Sequence, residues 1–176
     1  LVVAFAPGAP TDTFARVTAA EMTKTMGQQV IVENRPGAGT TIAAEVIAKS
    51  TPDGYALLFT DLSTHSITPS IYAKLGYNPL KDFVAVAPVS SSPLIMVAHP
   101  SVGIKSAKDL IALAKRHPGV TCGNAGIGTV THMASEKFRW RAGIDLTPVN
   151  YKGGATSTIS LLTGEVALIV TTIPAP

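Results

Sequence analysis

Val120-Thr121-Cys122-Gly123-Asn124-Ala125-Gly126-Ile127-Gly128-Thr129-Val130-Thr131-His132 is the stretch on which the fold reading turns. A β-like run, Val120–Gly123, passes through a glycine-rich loop into a helical repeat over Thr129–Arg141. A strand feeding a helix through a short loop is the unit of an α/β fold. The same unit recurs outward in both directions. Strand candidates are Leu1–Phe5, Gln29–Glu33, Tyr55–Thr60, Val84–Val89, Pro93–Ala98, Val120–Gly123, Leu146–Asn150 and Val166–Thr171. Helix patterns lie at Thr11–Met26, Thr41–Lys49, Ser106–His117, Thr129–Arg141 and Ala155–Thr163. Gly27 stops the first, and Ser106 with Asp109 has capping-box spacing. Several strands are apolar on both alternations, as strands covered on both faces should be. The expected fold class is therefore α/β, mostly parallel sheets with helices on both faces.

The bulk numbers agree with a globular chain. Of 176 residues, 46% are hydrophobic and 14% charged, with a formal net charge of +3. The basic residues are scattered, and no basic run carries interleaved aromatics, so no nucleic-acid partner is expected. A lone cysteine, Cys122, precludes an internal disulfide and argues against a cysteine metal site. The longest apolar runs, Leu94–Ala98 and Val166–Val170, are too short to span a bilayer, so the chain is not expected to cross a membrane itself. It opens in a strand-like run without an initiator Met, which suggests that an upstream segment has been removed. A composition change at His99–Gly103 marks a candidate crossover between two lobes, 1–98 and 99–176, although an ordinary surface loop inside one domain reads equally well there.

Three loops join a strand's carboxyl end to a helix, where open α/β sheets bind ligands. The first, Ala6–Asp12, contains Gly8, Ala9, Thr11 and Asp12; a helix start there presents unpaired N–H groups and a positive dipole end that suits a carboxylate. Thr11 or Asp12 capping its own helix is the plainer reading. The second holds Gly126, Gly128, Thr129, Thr131 and His132. Its third glycine is missing for a dinucleotide turn, and a P-loop is excluded because no Gly-Lys-Ser/Thr occurs. The third, Thr60–His65, offers Asp61, Ser63 and Thr64, and an ordinary polar cap fits it as well. Tyr151 and Lys152 follow a strand and precede a helix, so a cation could reach the same cleft, although a solvated turn lysine reads equally well there. No cofactor, metal or catalytic residue is expected: no His-Glu-x-x-His sequence occurs, and Asp61, Ser63 and His65 are too local to form a triad.

At these loops the sequence resembles a known family. Pro7-Gly8-Ala9-Pro10-Thr11-Asp12, Val32-Glu33-Asn34-Arg35-Pro36-Gly37-Ala38-Gly39, Pro52-Asp53-Gly54-Tyr55, Tyr77-Asn78-Pro79-Leu80-Lys81-Asp82-Phe83, Gly126-Ile127-Gly128-Thr129 with His132, and Val149-Asn150-Tyr151-Lys152-Gly153 follow one another as in the Bug receptors. These are the extracytoplasmic solute-binding proteins of tripartite tricarboxylate transporters. The resemblance implies a two-lobed, type II periplasmic-binding-protein architecture, a periplasmic location, a small mono- or dicarboxylate ligand and membrane transporter subunits as partners. It also implies that Gly8–Asp12 and Gly128–His132 face each other across the cleft, and that Asn34–Gly39 is a structural turn. Three features depart from the family. Ala9 replaces a usual second glycine, and Thr171-Thr172-Ile173-Pro174 stands where an Asp-Asn-type pair is usual, leaving Thr172 as the site candidate there. Members also continue beyond the equivalent of Pro176, so both lobes are expected to be incomplete here. A sensory module signalling to a membrane partner and an α/β enzyme acting on a small acid are the competing readings.

Overall fold

The structure is a computed structural model and describes residues 1–173. The last three residues of the expected second lobe, Pro174 among them, lie outside the described residues. The chain forms two sheets. The first holds β1 (Val2–Val3), β2 (Glu33–Asn34) and β3 (Leu58–Phe59) in the order β2-β1-β3, all parallel. The second holds β4 (Leu94–Ala98), β5 (Val120–Asn124), β6 (Leu146–Asn150) and β7 (Leu168–Thr172) in the order β4-β7-β5-β6. Within it β4 runs antiparallel to β7, and β5 is parallel to both its neighbours.

Helices fill the connections: α1 (Pro10–Met26), α2 (Thr41–Ala48), α3 (Thr68–Ile71), α4 (Ala107–Arg116), α5 (Val130–Ala142) and α6 (Gly154–Leu162). Their ends follow local chemistry. Pro10 opens α1 where a missing N–H costs nothing, and Gly27 closes it at φ 65°. Ser106 caps α4 by accepting the Asp109 N–H at 3.2 Å, while the Asp109 carboxylate accepts the Lys105 N–H at 3.0 Å. Thr129 caps α5, accepting from His132 N–H.

Each sheet has its own core. Val3, Ala4, Phe5, Ala9, Ala15 and Ala43 pack around β1. In the second sheet β7 is covered on both faces: Leu168 and Val170 join Leu110, Ala114, Cys122, Ile144 and Leu146 on one side, whereas Ile169 joins Leu161 and Val166 on the other. That is why its sequence shows no polar alternation.

Four strand expectations differ from the structure. Leu1–Phe5 shortens to Val2–Val3, and Gln29–Glu33 shifts to Glu33–Asn34. Tyr55–Thr60 yields only Leu58–Phe59, and Val84–Val89 forms no strand, with Val84 90% and Val86 80% exposed. β-branched residues favour extended backbone, but a strand needs a neighbouring backbone to pair with, and none runs beside this segment among the described residues.

Candidate functional site

The first two sheets point loops at each other and enclose a cavity of about 400 Å³ between them. One wall comes from the first sheet: Ala4, Phe5 and Ala6 after β1, residues 36–40 after β2, and Tyr72 after α3. The other comes from the second: Ala125, Gly126, Ile127 and Thr129 after β5, and Asn150 to Gly153 after β6. Strand carboxyl ends therefore supply both walls, where an open α/β sheet offers free loop backbone.

The first loop is organised by Asp12. Its buried carboxylate accepts the Gly8 N–H at 2.9 Å, Asn34 Nδ2 at 2.8 Å and Arg16 Nε at 3.0 Å. Burial alone would raise its pKa, but Arg16, Asn34 and the Gly8 amide together hold it below the ordinary carboxylate value. Asp12 thus neutralises the start of α1 from within. The positive φ of this loop falls on Gly8, at 78°, while Ala9 sits at φ −70°, so the alanine in place of a second glycine carries no strain.

The second loop is also largely self-satisfied. Thr129 Oγ1 donates to the Gly126 carbonyl at 2.6 Å, Thr131 Oγ1 accepts the Ala125 N–H at 3.0 Å, and His132 Nδ1 faces the Gly128 N–H at 3.4 Å. The Val130 N–H donates to Ser63 Oγ across the two halves of the molecule, at 3.1 Å. Tyr72 Oη reaches the Ile127 carbonyl at 3.4 Å in the same region.

Ser63 is fully buried. Asp61 Oδ1 accepts its N–H at 2.8 Å, and burial raises the Asp61 pKa against the pull of these hydrogen bonds. Thr64 Oγ1 bonds Thr40 Oγ1 at 2.8 Å and thereby holds a cavity-lining residue. His65 turns away: its Nδ1 bonds the Pro79 carbonyl at 3.2 Å, and its ring meets Phe83 edge-on. Asp61, Ser63 and His65 therefore do not assemble into a triad.

Of the residues singled out in the sequence, Gly126, Thr129, Tyr151 and Lys152 line the cavity. Gly128 lies just behind, with Tyr72, Thr68 and Ile71 within 4 Å of where a Cβ would stand. Asp61, Ser63 and Thr64 support the wall, and Asp12 fixes its edge. Thr172 pairs with Leu94 at the end of β7 and does not line the cavity. A Cβ on Gly153 would stand 3.2 Å from Ala6 Cβ, so the first loop meets the start of α6, while the start of α5 meets Ser63. Ala6 and Thr129 line opposite walls of the same cavity.

Sequence reasoning missed the segment 36–40 as a lining element, having read Asn34–Gly39 as a structural turn. Ala38, Gly39 and Thr40 all have positive φ, at 44°, 61° and 87°. For a β-branched threonine that is a strained backbone, of the kind that concentrates at binding sites. A Cβ on Gly39 would lie 2.4 Å from the Ile127 carbonyl, so glycine is required where the two halves meet. The legible signal was the pair Gly37 and Gly39 itself.

Among the described residues no cluster of three potential metal ligands occurs, and no helix is long and apolar enough to cross a membrane.

Known proteins share both sequence and fold with this chain. The sequence pattern of the tripartite tricarboxylate transporter family receptor, TctC, matches residues 14–176. Protein BugT of Bordetella pertussis is 36% identical over 177 residues, covering 99% of this chain and 54% of its own length. The periplasmic binding protein BugD superimposes with a TM-score of 0.89 at 34% identity, over 97% of this chain and 57% of its own. An R. palustris protein with adipate gives 0.95 at 31%, over 98% and 58%. MatC from Rhodopseudomonas palustris with bound malate gives 0.90 at 34%, over 97% and 59%. The chain spans about half the length of the curated relatives it matches. Its α/β architecture is that of periplasmic binding proteins.

Proposed function

This chain belongs to the tripartite tricarboxylate transporter family of receptors, and on that premise we propose that it captures a small mono- or dicarboxylate between two lobes and delivers it to a membrane transporter. We place the lobes on the two sheets, so their boundary falls before Leu94 and not between 98 and 99 as the composition change suggests, because β4 (Leu94–Ala98) pairs with β7. The setting is the periplasm. The observation that carries the reading is the cavity between the two sheets, walled by loops at strand carboxyl ends with Lys152 on its rim. An amine beside exposed loop amides attracts an anion, and none of the residues lining the cavity is a carboxylate that would oppose one. Ligand contacts are assigned to Thr129, Tyr151, Lys152 and the backbone of 36–40, with Gly8, Ala9, Thr11, Asp12, Asp61, Ser63, Thr64, Gly128, Thr131 and His132 shaping the walls. Two relatives whose structures hold adipate and malate support the ligand class.

Titration calorimetry of the intact protein with small carboxylates tests the reading. One-to-one binding is expected, and Gly128→Val should weaken it at least tenfold, about 1.4 kcal/mol. The valine would adopt φ 82° and press on the Tyr72 ring, since a Cβ there is already 3.3 Å from it. Absence of binding to any small carboxylate would overturn the assignment.

A further inference from the structure

We propose that the cavity selects carboxylates with an unhydroxylated hydrocarbon body and rejects their hydroxylated counterparts. This rests on the carboxylate-receptor reading above and narrows its ligand class. The walls are mostly carbon: Ala4, Phe5, Pro36, Ala38 and Ile127 contribute side chains with no polar atom. The hydroxyls that do line the cavity each already have a protein partner, so a ligand hydroxyl would have to share it. Thr40 Oγ1 bonds Thr64 Oγ1, and Tyr72 Oη reaches the Ile127 carbonyl. Thr129 Oγ1 donates to the Gly126 carbonyl, and Tyr151 Oη donates to Glu165 Oε1 at 3.0 Å. Of the polar side chains in the wall, only Asn150 and Lys152 make no hydrogen bond to another protein group among the described residues, and both are exposed at the rim.

A ligand carboxylate can meet Lys152 and loop amides at the rim, but hydroxyls along its body face carbon. A buried hydroxyl without a partner loses its water and gains nothing in return, so each one added to the ligand costs affinity. A site that hydrogen-bonds a substrate hydroxyl must keep groups free to do so, and this wall has spent its own.

The test is calorimetry of the intact protein with two series of constant charge and chain length: adipate against galactarate, and succinate against malate and tartrate. Binding should weaken at least fivefold from succinate to malate, again to tartrate, and by more than a hundredfold from adipate to galactarate. Hydroxylated acids binding as tightly as their parents, or more tightly, would overturn the selectivity while leaving the receptor reading intact. If no member of either series binds, this inference fails, and the receptor reading falls with it only if small monocarboxylates do not bind either.

Discussion

At the scale of single residues, two buried carboxylates pull stability in opposite directions. Asp12 has a folded pKa held below 3.8 by its donors, and Asp61 has one raised above 3.8 by burial. The Asp12 contribution is therefore full above pH 3.8 and is lost as pH falls through the lower folded value. Asp61 behaves inversely. Its charge penalises the folded state as pH rises from 3.8 through the raised value, and the penalty vanishes in acid. Asp12→Asn should accordingly destabilise at neutral pH, and Asp61→Asn should stabilise, since asparagine keeps the Oδ1 acceptor for Ser63 N–H. Both differences should shrink below about pH 4 in denaturant titrations. Cys122 gives a third expectation. Burial, with some help from the Glu136 charge, pushes its thiol up to about 11. The folded protein should leave a thiol reagent unreacted at pH 8, and labelling should appear only with unfolding. None of these environments was legible beforehand. The sequence offered Asp12 as a self-cap, but the reach of Asn34 across 22 positions is a tertiary fact.

At the scale of elements, helices were read closely and strands loosely. The boundaries of α1, α4 and α5 fall within a residue or two of their sequence signals because proline, glycine and capping side chains act locally. Ser106→Ala should cost about 1 kcal/mol in unfolding free energy, the usual worth of such a cap. Strands depend on what lies beside them, which explains why Val84–Val89 has the composition and not the structure. The contact between the two halves was equally invisible, since Ser63 and Val130 are 67 positions apart. Ser63 Oγ occupies the first free amide of α5, so it bridges the halves when they are together. Ser63→Ala should remove about 0.5–1.5 kcal/mol from the closed form. Measured by stopped flow, the loss should appear in faster ligand release rather than slower capture.

At the scale of the whole molecule, the approach of the two halves is tightest at one atom. The backbone of Gly39 approaches the Ile127 carbonyl so nearly that a methyl group cannot fit. Gly39→Ala should keep the halves apart, adding a forced positive φ for alanine at 61° to the clash. Small-angle scattering with saturating ligand should show no contraction in the variant and a clear one in the parent. That loops at strand ends wall the cavity was legible, because such loops leave free backbone in open α/β sheets. The contacts between them were not: sequence order cannot say that Ala6 meets Gly153 or that Val130 meets Ser63.

The placement of β7 has a further consequence, for the time course of folding. It lies between β4 and β5, although it follows both of them, and β6, in sequence. Its register joins Leu94 to Thr172, so the middle of the second sheet is supplied after everything that flanks it. During synthesis the chain emerges N-terminus first, and β4, β5 and β6 must wait with their apolar faces open until residues 168–172 arrive. Pairings this distant in sequence also fold slowly, because the loop entropy is lost before any contact repays it. A nascent chain whose second sheet stays open until residues 168–172 emerge keeps that segment threadable through a narrow channel up to that point.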